Sequence, residues 1–206
     1  MERMALEDVD QLADKFYSGG GSINDISEQY TREELCEFMR GKLEELAEVV
    51  SGMTRAQLTY RLPGRPGGPD SSGDEAHFDT SEIMTHLASG IAFHWWGITR
   101  ALKHDRPQFP RAPEGVKVTG SKGSMMGGGG WSGATAGELI SGLREMTDRF
   151  LQYIQALPED SGEAKSRLGI FSDLTPQSWL FLDAVHFNMH LKQIKTMQAQ
   201  PDYPPA

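Results

Sequence analysis

Near the end of the chain, in the stretch His186-Phe187-Asn188-Met189-His190-Leu191-Lys192-Gln193, two histidines stand four residues apart. In a helix that spacing puts both side chains on one face, one turn above the other, so both imidazoles can reach a single metal ion. The same face carries Trp179, Leu182, Asp183, Gln193 and Met197. Imidazole nitrogens on a face otherwise built for a core each need a partner, because burying a polar group without one is costly. A metal ion supplies that partner; hydrogen bonds to Asp183, Gln193 or water are the alternative. A third donor comes from His86, which shares a helical face with Gly90, Phe93 and Gly97, where small residues allow close helix approach. Three neutral imidazoles leave at least one coordination position open for water or a substrate atom, which is how catalytic rather than closed structural zinc sites are built. Nickel and ferrous iron accept imidazole as well. The expectation is therefore a divalent ion (zinc, nickel or iron) held by His86, His186 and His190. His94 lies about 80° around the helix from His86 at 3.6 residues per turn, as a fourth ligand, a supporting group or a core-edge histidine. His77 and His104 fall in loop sequence and read as surface residues.

Four long amphipathic patterns must position these residues. The first opens with Thr31-Arg32-Glu33-Glu34, a capping box, and repeats Leu35, Phe38, Met39, Leu43, Leu46, Val49 and Val50 at helical spacing. A short helical turn follows over Thr54 to Leu58. The second opens with Asp79-Thr80-Ser81-Glu82 and runs to about Lys103, with apolar residues on more than one side, Trp95 and Trp96 among them. Those tryptophans read as bundle core, or as part of an interface with the N-terminal helix. The third opens with Thr135-Ala136-Gly137-Glu138 and ends at Pro158. The fourth opens with Thr175-Pro176, a cap followed by proline at the first helical position, and stops at the tail PDYPPA. The fold class is all-α, and an antiparallel four-helix bundle is the natural architecture. A helix over 5–17 forms an N-terminal extension (1–30), and 199–206 a tail. The Pro- and Gly-rich stretch 63–77 and the long stretch 104–134, with its GGGG run, read as irregular loops. The second of these carries Lys103, Arg106, Arg111, Lys117 and Lys122 at its start, a locally basic segment, with Trp131 after the glycines.

The chain has 206 residues, and 29 Asp and Glu against 20 Lys and Arg give a net charge of −9. That balance excludes a generic nucleic-acid binder, which needs clustered Lys and Arg. No apolar run approaches a membrane span, and the N-terminus lacks a signal-peptide core. The single cysteine, Cys36, excludes an intrachain disulfide and sits in a helix pattern as a small buried hydrophobe. A cytoplasmic location is expected. The GGGG run is no phosphate loop, since no Gly-Lys-Ser/Thr follows it.

The order of these patterns resembles a known family. "EIMTHL" with His86 stands early in the second helix, "TAGEL" opens the third, and "HFNMHLKQI" carries His186, His190 and Gln193. Over about residues 31–198 this is similar to the DinB/YfiT-like metal-binding four-helix bundles, relatives of bacillithiol- and mycothiol-dependent S-transferases. The resemblance implies His86, His186 and His190 as the metal ligands, helices in up-down-down-up order, and a homodimer. It also implies a metal-dependent transferase that uses a low-molecular-weight thiol, with a small-molecule substrate. In such a site a bound thiol loses its proton and becomes the nucleophilic thiolate, and the 104–134 stretch covers the electrophile. Hydrolysis by a metal-bound hydroxide is a second reading, with Asp183 as its base or as a group that orients a histidine. A non-enzymatic dimeric helical module with a structural or vestigial metal is the third.

Overall fold

The computed structural model describes residues 5, 6, 8, 22–62, 78–105, 107, 117, 118, 131–168 and 171–206. Most of these are helical. Among the described residues six α-helices appear in order: α1 (Ile23–Ser27), α2 (Arg32–Val50), α3 (Arg55–Leu58), α4 (Thr80–Ala101), α5 (Ala136–Gln155) and α6 (Pro176–Gln198). Each of the capping boxes read in the sequence forms. Glu34 N–H donates to Thr31 Oγ1 at 3.1 Å while Thr31 N–H donates to Glu34 Oε2 at 2.7 Å, and Asp79 with Glu82 and Thr135 with Glu138 repeat the exchange. Two orphan donors are satisfied at each helix start in this way. At α6, Thr175 caps and Pro176 takes the first helical position.

The second long helix ends two residues short of Lys103. Lys103 adopts φ 57°, and the N–H groups of Lys103 and His104 donate back to Arg100 and Thr99. This is a Schellman closure with lysine in the left-handed position that glycine usually takes.

Apolar stripes of the four long helices meet in one core, with Leu46, Ile91, Phe150 and Phe187 completely buried. Cross-helix contacts set the register. Arg32, at the start of α2, donates to the carbonyls of Ile154 and Leu157 at the far end of α5, and Arg144 pairs with Glu44 further along. Ser27 and Tyr30, just before α2, meet Ser178 and Phe181 in the first turns of α6, while Lys195 reaches Glu45 near the other ends of the two helices. Trp95 of α4 packs against Phe150 and Tyr153 of α5. It is core, as read from the sequence, whereas Trp96 is half-buried under the Arg100 guanidinium.

Between α5 and α6 the sequence showed no element, yet the chain forms a 3-10 turn (Glu159–Glu163) and an antiparallel pair, β1 (Ser166–Leu168) with β2 (Phe171–Leu174). Another short antiparallel pair joins Lys117–Val118 to Trp131–Ser132. The tail is docked: Tyr60 OH donates to Asp202 at 2.6 Å, Gln57 Nε2 donates to the Pro204 carbonyl at 3.1 Å, and the Tyr60 and Tyr203 rings meet edge to face. Most of the expected 5–17 helix lies outside the described residues. So do the 63–77 stretch with His77 and most of 104–134, with Arg106, Arg111 and Lys122. Leu6 is buried, and its carbonyl accepts from Asn188 of α6. Among the described residues no helix is long and apolar enough to cross a membrane.

Candidate metal centre

The site is built across the seam between α4 and α6. His86 stands in the second turn of α4, and His186 and His190 stand one turn apart on α6. Gly90 lies directly against His186: a Cβ at that position would sit 3.8 Å from His186 Nδ1, in ordinary van der Waals contact. The helix face read from the sequence as small and open to a neighbour is thus the one on which His186 lies.

The three Nε2 atoms converge. His186 Nε2 is 3.0 Å from His86 Nε2 and 2.9 Å from His190 Nε2, and the three ligand atoms lie within 4.8 Å of one another. Two nitrogens each about 2.0–2.1 Å from a common ion stand about 3 Å apart when they subtend a right angle. Both spacings from His186 Nε2 fit that requirement. His86 and His190 are fully buried, while His186 is half-buried and forms the solvent side of the group.

Protonation supports the same fit. His190 Nδ1 lies 2.8 Å from Gln193 Oε1. An amide oxygen only accepts, so Nδ1 carries the proton and Nε2 presents its lone pair to the centre. The one hydrogen on a neutral His186 Nε2 can serve one of its two neighbours at most. A cation placed among three lone pairs removes that conflict, and the residues present are those that could hold one.

Around the centre the structure adds groups. Phe78 meets the His86 ring edge to face at 5.1 Å. Its signal in the sequence was its place just before the Asp79 cap, where an apolar residue commonly packs back onto the helix it introduces. Asp183 accepts from His94 Nδ1 at 2.8 Å, and both side chains are buried. Of the roles open to His94, the structure gives it this pairing and a stack on Trp179 at 4.5 Å. His104 is exposed and hydrogen-bonds Tyr153 at 2.9 Å. Cys36 is fully buried, and burial pushes its thiol above the usual range.

Residues 44–194 match the family model of the DinB superfamily. No curated protein and no solved structure matches the chain.

Proposed function

The chain belongs to the DinB superfamily, and we propose that it is a metal-dependent thiol transferase acting on a small molecule. The observation that carries this reading is the convergence of three Nε2 atoms on a point from which two rings are sealed and the third is half-open. His86, His186 and His190 would hold a divalent ion there, whether zinc, nickel or iron, and such an ion would acidify a bound thiol. The protein supplies the rest. Gln193 holds the His190 tautomer, Gly90 leaves room beside His186, and Phe78 backs His86. The solvent side at His186 is where a low-molecular-weight thiol and its electrophile meet.

The bundle is read as an antiparallel four-helix arrangement in up-down-down-up order. Contacts between like ends of α2 and α6, and between opposite ends of α2 and α5, support it. The 31–198 domain, its 1–30 extension and 199–206 tail, a homodimer, and a cytoplasmic location free of membrane and nucleic acid belong to the same reading.

Elemental analysis of the purified protein is expected to find about one divalent ion per chain. Metal-loaded protein is expected to accelerate alkylation of 2-mercaptoethanol, and His190→Ala with its helical circular dichroism intact is expected not to. A protein that carries no stoichiometric metal and takes none up on titration overturns the reading.

A further inference from the structure

We propose that His94 is the proton acceptor that works beside the metal centre, and that Asp183 is its positioning residue. The inference rests on the transferase reading for the identity of the proton donor, and on separate geometry for the base itself.

Asp183 Oδ1 stands 2.8 Å from His94 Nδ1. A carboxylate oxygen accepts, so the proton sits on Nδ1 and the lone pair sits on Nε2. The Trp179 ring, stacked at 4.5 Å and tilted by 27°, fixes the plane of the imidazole. His94 Nε2 makes no hydrogen bond to a described residue, yet it is not among the polar atoms sealed from solvent without a partner. Asp183 Oδ2 is one of those sealed atoms, so the carboxylate has no hydrogen-bond partner except His94. A buried carboxylate spent on one imidazole, whose other nitrogen stays open, is the arrangement of a base and its orienter.

The helices put this pair next to the centre. His94 follows Gly90 by one turn of α4, and Asp183 precedes His186 by one turn of α6. Gly90 lies against His186 as His94 lies against Asp183. The two contacts are successive rungs of one seam, about 4.5–6 Å apart along the helix axes at 1.5 Å rise per residue. A substrate atom or a water that bridged one rung to the next would link His94 to the half-open ligand. In the step, the S–H bond of the thiol breaks, its proton forms the N–H bond at His94 Nε2, and the electron pair stays on sulfur as thiolate. The imidazole becomes imidazolium beside Asp183.

Histidine-labelled, metal-loaded protein tests this through nitrogen NMR and diethyl pyrocarbonate, which acylates a bare imidazole nitrogen. His94 is expected to show the Nδ1–H tautomer and to be acylated, with exposed His104 as the positive control. Asp183→Asn is expected to shift His94 toward the other tautomer and slow its acylation about ten-fold, with metal content unchanged. A His94 that resists reagent while His104 reacts overturns the proposal. So does a His94 whose tautomer and rate ignore Asp183→Asn. Wild-type protein without metal would defeat the transferase reading, while the tautomer and acylation results would still decide the base.

Discussion

His190 is held at both ends of its ring, and that makes Gln193 the most informative residue outside the histidines themselves. Its Oε1 accepts from Nδ1 at 2.8 Å and so decides which nitrogen faces the centre. A leucine there has similar bulk and no acceptor, and it frees His190 to protonate Nε2. Groups that orient a ligand histidine typically account for 10–100-fold in metal affinity. Gln193→Leu is therefore expected to weaken metal binding about 10–100-fold by competitive titration, with little change in circular dichroism. An unchanged affinity would mean that His190 needs no partner to present Nε2. Cys36 behaves in the opposite way from a reactive group. It is fully buried, and its thiol is pushed up by that burial, so the thiol form persists at neutral pH. Maleimide is expected to label it only after denaturant unfolds the chain.

At the scale of elements, α4 matters most because it carries His86 and one side of the seam. Its start is fastened by Asp79, which accepts from Glu82 N–H at 2.9 Å and faces Arg61 at 3.2 Å. Burial, and then the Glu82 carboxylate, push the Asp79 carboxyl above the usual aspartate value. The folded state thus holds this proton more tightly than the unfolded chain does. Stability from the group is complete below the unfolded value and is lost as pH rises through the folded one. Asp79→Asn keeps a capping acceptor and removes the charge. In urea titrations of metal-free protein over about pH 3 to 6, the variant is expected to gain on the wild type as pH rises. A constant difference between the two would refute the role given to burial. The start of this helix was legible in the sequence because Asp-x-x-Glu before an apolar run has a local cause, as were the starts of α2 and α5. Its end was placed later because a Schellman closure with Lys103 in place of glycine leaves no local mark. The β1–β2 pair escaped for a related reason: three- and four-residue strands around Asp173 at φ 59° carry too little alternation to read. That His186 and His190 share one helix face was legible from their spacing, whereas His86 and the family resemblance were needed to read them as ligands. The bond between His94 and Asp183 was not, since it depends on the register of two helices 89 residues apart in the chain.

For the whole molecule, the question is whether the ion builds the fold or only uses it. The core closes without it: Leu46, Ile91, Phe150 and Phe187, one from each long helix, are completely buried. Further fastening comes from the tail, where Asp202, Tyr203 and Pro204 engage Tyr60 and Gln57. Truncation after Gln200 is expected to cost about 1–3 kcal/mol in chemical denaturation and to leave metal content unchanged, because none of these contacts touches a histidine of the centre. Removal of the ion acts on a different part of the balance. A ligand that binds only the folded state stabilises it in proportion to the logarithm of its excess over Kd, about 2.7 kcal/mol at a hundred-fold excess. Chelated protein is thus expected to keep its helical signal and a single cooperative transition at a lower Tm, and to regain the higher Tm on adding metal. The tail truncation and chelation should then be additive, since the tail is fastened through Tyr60 and Gln57 rather than through the ligand histidines. A chelated chain that loses its helices would make the centre a structural staple, of the kind on which small zinc domains depend, and would remove the case for an open, working coordination position.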